Sequence, residues 1–414
     1  MHVMSDKKRE SRGAATAAAG TEQQILDHAI RLHKGGRLKE AEAAYRELLR
    51  LQPGHPAGLH MLGVLAHQGG RHEEAISLMN SAMTHAPSDA GLHTNLGTAL
   101  QACGRLDEAV ASFMRAIELD PRSALAHNNL GNALRLQGKH EQAVAAYRRA
   151  LDIDNRYTDA YVNLAIAYQT RGELEKAAHY YEKAVGLDPD HRPAAHMLAA
   201  LRGESPESAP SEHVKKLFDE YAARFDHHLV ETLGYSMPRL LREEIDRLAG
   251  PDARFRNVID LGCGTGLAGV AFRPVSLHLS GVDLSPRMIE RAKARNVYDT
   301  LHTGDIITIL QQRHTDYDLL VCADVFPYIG DVRPLFSAVR DCARHGALFA
   351  FSTETHTGNG YVLRPTGRYA HAPDYLRTAA ANHGFSVRLM RTENLRKQKE
   401  EWILGDLVIL QRRE

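Results

Sequence analysis

The residues of this chain best able to do chemistry are a glycine turn and the carboxylates spaced around it. Asp260-Leu261-Gly262-Cys263-Gly264-Thr265-Gly266 follows the apolar run Val258-Ile259 and opens a helical pattern. Glycines there let the backbone approach a ligand with no Cβ in the way, at a helix N-terminus with free amides. Such a turn suits an adenosyl-bearing ligand. Gly264-Thr265-Gly266-Leu267-Ala268-Gly269 also spells GxGxxG, so on this motif alone a nicotinamide or flavin dinucleotide competes. Asp260 weighs against it, because a carboxylate two residues before Gly262 repels a pyrophosphate. It attracts a cation, such as the ammonium of a sulfonium cofactor, directly or through water. Asp283, 23 residues after Asp260, ends the next strand-like run, where a carboxylate accepts both hydroxyls of a ribose. Dinucleotide folds share that feature, so Asp283 does not discriminate.

Alternating strands and helices must hold these residues. Apolar strand-like runs at 257–261, 277–282, 300–303, 317–322 and 347–352 alternate with helical patterns near 267–272, 286–296, 306–312, 332–343 and 373–382. That alternation predicts a parallel sheet. Two adjacent runs, 386–391 and 402–411, predict a closing hairpin and bring the strands to seven. Two amphipathic helices precede the sheet. The first carries Leu217, Tyr221, Phe225 and Leu229 on one stripe, and the second covers about 238–248.

The first half of the chain repeats itself. Gly36, Gly70, Gly104, Gly138 and Gly172 stand 34 residues apart, as do Ala41, Ala75, Ala109, Ala143 and Ala177. Pro53, Pro87, Pro121 and Pro189 keep the same ruler, with Asn155 in the missing place. Apolar residues recur every three or four positions between these markers, so each unit is two amphipathic helices joined at the glycine and ended at the proline. Tyr45, Phe113, Tyr147 and Tyr180 are expected to fill the gaps between paired helices.

The repeats closely resemble the tetratricopeptide family over about 22–191, in five units, and residues 192–202 look like its capping helix. The resemblance implies a right-handed superhelix with a concave groove. Asn95, Asn129 and Asn163 share one position of the first helix of their units. On the concave face such a ladder would hold the backbone of an extended protein segment or peptide, whatever its sequence. A solvated position that merely tolerates asparagine is the plainer account. Gly203 to Pro210 is rich in Gly, Ser and Pro with almost nothing to bury, and reads as a linker. The expected organisation is a disordered tail over 1–21, the array over 22–202, the linker over 203–210 and a catalytic α/β domain over 211–414.

Residues 255–411 resemble the class I S-adenosylmethionine-dependent methyltransferases, Rossmann-like folds with a seven-stranded, mostly parallel sheet. In that family an acidic residue and the next backbone amide read the adenine edge, which implies Asp305 and Ile306 in Thr303-Gly304-Asp305-Ile306. Leu284, Ser285 and Met288 are expected around the adenosine. The run Asp318 to Asp324 resembles the fourth-strand motif, with Ala323 and Asp324 ending beside the transferred methyl. Tyr221, Phe225 and Asp226 resemble a YxxxFD segment that small-molecule methyltransferases fold over the cofactor; a core-facing stripe is the alternative. Together with the repeats, LFDEYAARFDHHL, VIDLGCGTG, ADVF, GYVL and GRYAH resemble a bacterial group of repeat-containing methyltransferases. Methyl transfer from a sulfonium is an in-line displacement, and a base is needed only if the acceptor must lose a proton. Tyr328, after the fourth strand, and His356, Tyr361 and His371, in a long loop after the fifth, are the candidates.

Composition narrows the remaining classes. With 51 basic and 51 acidic residues, nothing global points to nucleic acid. Cys103, Cys263, Cys322 and Cys342 show no CxxC spacing, so neither a disulfide framework nor a metal site is signalled, and a reducing cytoplasm is the expected setting. No run approaches the roughly 18 apolar residues that a membrane span requires. Three functions compete: a methyltransferase whose repeats recruit a protein or peptide, a phenol, amine or quinone-like small-molecule enzyme localised by them, and a repeat scaffold with a silent catalytic domain.

Overall fold

The computed structural model describes residues 21–222, 225–312, 316–398 and 401–414, so nearly all of the expected tail over 1–21 lies outside the described residues. The chain divides into two compact units, Met1–Leu187 and Asp188–Glu414.

In the first unit, helices pair as the ruler predicts: α1 (21–34) with α2 (Leu38–Leu51), α3 (Pro56–Gln68) with α4 (His72–Met83), and α5 (Ala90–Ala102) with α6 (Leu106–Leu119). Next come α7 (Ala124–Leu136) with α8 (His140–Ile153), and α9 (Thr158–Thr170) with α10 (Leu174–Leu187). Each ruler glycine sits between paired helices with φ from 72 to 78°, a left-handed conformation that costs glycine little. Local capping starts the helices: Asp89 accepts from the Leu92 amide at 3.0 Å and Ser123 from the Ala126 amide at 3.2 Å. Tyr45, Phe113, Tyr147 and Tyr181 are the fully buried aromatics of the array. The expected Tyr180 is therefore corrected by one position. Tyr181 stands 34 residues after Tyr147 and faces inward, while Tyr180 stacks on Tyr168 with centroids 5.5 Å apart.

The asparagine ladder is partly spent within the array. Asn95 Nδ2 meets His60 Nε2 at 2.8 Å, and Asn163 Nδ2 donates to Asn128 Oδ1 at 2.9 Å, each 35 residues back in the preceding unit. Asn95 and Asn163 thereby join neighbouring repeats, and all three asparagines are half-buried, which leaves only part of their hydrogen-bonding capacity exposed.

The second unit opens with α11 (Arg192–Arg202) and α12 (Ser211–Tyr221). The helix expected to cap the array thus falls within this unit, where His196 Nε2 lies 3.1 Å from the Gly367 carbonyl. A π-helical turn (His227–Thr232) and α13 (Met237–Ala249) lead to the sheet. Its strands are β1 (Phe255–Leu261), β2 (Ser276–Asp283), β3 (Thr300–Thr303), β4 (Tyr317–Cys322) and β5 (Ala343–Thr355), then β6 (Tyr361–Leu363), β7 (Tyr369–His371), β8 (Phe385–Gln398) and β9 (Glu401–Arg412). The order is β3-β2-β1-β4-β5-β7-β6, with antiparallel β9 also on β5 and β8 on β9. The mixed sheet has nine strands where seven were expected. The additional two, β6 and β7, form a short hairpin inside the segment expected as a long loop, with β7 parallel to the end of β5.

Both faces of the sheet are covered, which is why its strands read as continuous apolar runs. Ile259, Leu320 and Phe351 face α16 (Ile306–Gln311), α17 (Arg333–Cys342) and α18 (Pro373–Asn382). Val258, Leu319 and Ala350 face α13 and α14 (Leu267–Phe272). The chain turns outward from β1 in both directions, so the β1/β4 boundary is a topological switch point where such sheets bind ligands.

Tyr181→Ala should destabilise the array by about 3–5 kcal/mol, the cost of emptying a buried aromatic site. Tyr180→Ala should cost about 1 kcal/mol, the worth of a stacked pair. Urea melts of the two variants compare them directly, and equal losses would contradict the assignment.

Candidate functional site

The glycine turn is fastened to the end of β2. The amides of Gly262 and Cys263 both donate to the Val282 carbonyl, at 2.8 and 2.9 Å, and the Gly264 amide donates to Asp283 Oδ2 at 2.9 Å. Gly262 passes so close to Val325 that a Cβ would stand 2.1 Å from its Cγ2. Gly269 makes room for a side chain: a Cβ there would lie 2.3 Å from Tyr298 Cζ. The last glycine of the GxGxxG spelling thus accommodates Tyr298. That ring delivers its hydroxyl to Asp260 Oδ2 at 2.6 Å, and Asp260 Oδ1 is buried with no hydrogen-bond partner among the described residues. Burial pushes the Asp260 carboxyl up to about 7, the Tyr298 bond holding it lower and the negative Asp283 raising it.

A cavity of about 260 Å³ lies over this turn, at the switch point. Gly262, Cys263, Gly264, Asp283 and Leu284 line it on one side, and Asp305, Ile306, Ala323, Asp324 and Tyr328 on the other. Asp260 is buried and does not line it. Asp283 is buried, accepts the Ser285 amide at 2.8 Å through Oδ1, and is pushed up to about 6 by burial against the pull of its two amide donors. Asp305 caps α16, its Oδ1 accepting the Thr308 amide and hydroxyl at 2.9 Å. Ser285 and Met288 are fully buried and off the cavity wall. Ser285 is occupied with capping α15 (Pro286–Ala294) and with Asp219, to which its hydroxyl donates at 2.5 Å.

The segment before the sheet does meet the turn. Thr265 donates its hydroxyl to Asp226, Arg295 binds Asp226 at 2.5 Å, and the same guanidinium donates to the Thr265 carbonyl at 2.6 Å. Phe225 lines the cavity, whereas Tyr221 lines a second one beside it. Tyr298 and Arg295 went unforeseen because no local pattern marks a residue that reaches back 38 or 30 positions. The linker is also part of the wall. Residues expected to bury almost nothing run against the turn after β4: the Ala209 amide donates to the Tyr328 carbonyl at 3.0 Å, and the Glu207 carbonyl accepts from Gly330 and Asp331.

Of the four residues expected as bases, Tyr328 alone lines the cavity. His371 is corrected to a buried pin. Its Nδ1 accepts from the Thr353 hydroxyl at 2.6 Å, its Nε2 donates to the Gly330 carbonyl at 3.0 Å, and burial pushes its pKa down to about 4. His356 is folded onto its own turn, accepting the Gly358 amide at 2.9 Å and facing the Gly360 carbonyl at 3.3 Å. Tyr361 packs among Tyr369, His371 and Tyr375. Two of the three, Tyr361 and His371, are placed by one cause: the segment expected as a long loop contains the β6–β7 hairpin, and they stand in its strands.

Arginines that the sequence did not single out gather beside Tyr328. Glu354, at the buried end of β5, takes Arg368 Nε at 2.8 Å and Arg396 Nη2 at 2.5 Å on Oε1, and Arg364 Nη1 at 3.0 Å on Oε2. Burial pushes the Glu354 carboxyl up, and Arg368 and Arg396 more than reverse it, so it is held ionised. Arg368 also donates to the Tyr328 hydroxyl at 3.0 Å and lies 5.2 Å over its ring. Asp324 is held loosely, with Arg368 at 3.3 Å and Arg396 at 3.5 Å.

Comparison with known proteins matches both halves. A family model described as a methyltransferase domain matches residues 233–398, and tetratricopeptide-repeat models match 26–90, 89–156 and 122–190. Over 85 residues the chain is 36% identical to Methyltransferase-like protein 27 of Homo sapiens, covering 20% of this chain and 34% of that one. Over 117 residues it is 23% identical to a ubiquinone biosynthesis O-methyltransferase of Thiobacillus denitrificans, covering 27% of this chain and 50% of that one. The chain thus spans about a third to a half of the length of these relatives. Among solved structures, a crystal structure of MamA aligns at 25% identity and a TM-score of 0.36, covering 39% of this chain and 94% of that one. With its first half matched by the repeat models and its second by the methyltransferase model, the chain is a tetratricopeptide-repeat protein carrying a class I methyltransferase domain.

Proposed function

We propose that this protein is an S-adenosylmethionine-dependent methyltransferase, and that its repeats recruit a protein or peptide partner. The buried Asp260 carboxylate, one oxygen of which has no hydrogen-bond partner among the described residues, carries the first part of this reading. A pyrophosphate beside Asp283, with the buried Asp260 near it, would be repelled, whereas a ligand bearing an ammonium and a sulfonium is attracted. The bound cofactor would supply an electrophilic methyl on a cationic sulfur. Asp283 would hold ribose hydroxyls, the turn would let the adenosyl group approach the backbone, and Ile306 and Leu284 would flank the base. Asp324 and Tyr328, shared by both cavities, stand where an acceptor would meet the methyl, so the protein's main contribution is alignment. The relatives named for O-methyl transfer favour an oxygen acceptor.

The repeats support recruitment through the concave face, with the exposed capacity of Asn95, Asn129 and Asn163 as the contact. Replacing all three by alanine is expected to abolish retention of the partner on immobilised protein without changing affinity for S-adenosylhomocysteine. Full retention in a variant that still melts like the parent would overturn the ladder.

Calorimetry with S-adenosylhomocysteine tests the donor site. Asp283→Ala should weaken binding about 10- to 100-fold, as expected for losing hydrogen bonds to a charged acceptor. Equal affinity in parent and variant would sink the reading. Because Asp260 and Asp283 hold protons in the folded state up to about 7 and 6, above the ordinary 3.8, the ligand-free protein should lose stability as pH rises from about 4 to 7. S-adenosylmethionine favours the ionised carboxylates, so its affinity should rise over the same window. Melting curves with and without it, from pH 5 to 8, should therefore diverge with rising pH.

A further inference from the structure

The second cavity, about 380 Å³, shares Phe218, Phe225, Leu229, Asp324 and Tyr328 with the first. One wall is apolar: Leu217, Tyr221 and Leu233 continue the helical stripe set by Phe225 and Leu229. The other wall is formed by Arg368 and Arg396. Among the described residues, three guanidiniums (Arg364, Arg368 and Arg396) are paired with two carboxylates, Glu354 and Asp324, which leaves one positive charge over. Two of the three cations sit largely out of water, the Arg368 and Arg396 side chains being 20% and 8% exposed against 32% for Arg364. Desolvating a cation without a full partner costs stability, so such a cluster is poorly explained as a stabilising device. Its weak side points into the cavity, because both contacts to Asp324 are longer than 3.2 Å while Glu354 holds the same two arginines at 2.8 and 2.5 Å.

We propose that the second cavity receives the methyl acceptor and selects an aromatic or apolar molecule carrying one carboxylate. Its apolar body lies on the Leu217 to Leu233 stripe and its carboxylate on the Asp324 side of Arg368 and Arg396. One negative charge completes the cluster, and guanidinium edges match a carboxylate geometrically. The proposal rests on the first cavity holding the methyl donor, since that neighbour makes the second cavity the acceptor's.

Calorimetry on the full chain with 1-naphthoate and its same-shaped neutral amide, 1-naphthamide, tests it, each run with and without saturating S-adenosylhomocysteine. The acid should bind roughly tenfold more tightly than the amide, the worth of one charge-assisted hydrogen bond. The preference should shrink as salt is raised. Arg396→Gln and the milder Arg368→Lys should each reduce the preference, with S-adenosylhomocysteine affinity unchanged as the check that the fold is intact. An acid that binds no better than its amide in the parent protein, including no binding of either, overturns the proposal without recourse to a variant. Loss of S-adenosylhomocysteine binding alone would instead count against the donor site, because the acid and amide are also compared in its absence.

Discussion

The hydrogen bonds that fasten the glycine turn to the end of β2 are the constraint on which the site depends. One carbonyl, that of Val282, takes two amides of the turn, and the next residue, Asp283, takes a third on its carboxylate. Three backbone donors that a loop would otherwise leave to water are thereby committed, and the turn is held with little freedom. That fixes the part of the cavity wall formed by the turn. Tyr298 completes the arrangement, because burial and the negative Asp260 keep its phenol protonated and able to donate. The turn is rigid because its polar groups are satisfied sideways, by the neighbouring strand.

The rim is built by a different rule. Three short pieces of little intrinsic structure, the stretch before α12, the turn after β4 and the β6–β7 hairpin, order one another by backbone hydrogen bonds and by a buried histidine. Glu207 and Ala209 meet residues 328–331, and His371 meets Gly330. Such groups cannot be left unpaired where water is excluded, so each segment is the others' partner. The ionic cluster at Glu354 works on the same wall with larger stakes, since its charges are buried and slightly unbalanced.

Much of the frame was legible in the sequence because it rests on local rules. A 34-residue glycine ruler sets repeated left-handed turns, and apolar runs set strands buried on both faces, so the pairing of helices and the seven main strands could be read directly. The glycine turn and Asp283 were equally readable, since both lie at a strand end where spacing alone places them. Reading failed where a residue's role depends on a distant partner. Tyr298 reaches back to Asp260 and Arg295 to Thr265, whereas Tyr181 in place of Tyr180 follows from the ruler itself once it is applied strictly.

What the sequence determined by itself was the order of its two halves, the turn and the carboxylates around it, because these are properties of spacing along the chain. Only the tertiary structure decided that Gly269 makes room for Tyr298, that His371 is buried and neutral, and that the linker forms part of the cavity wall. It also decided that Arg364, Arg368 and Arg396 gather on Glu354. Each of these depends on residues brought together by the sheet from tens of positions away. Burial and pairing then set their protonation and chemistry, and neither is encoded in any local pattern of residues.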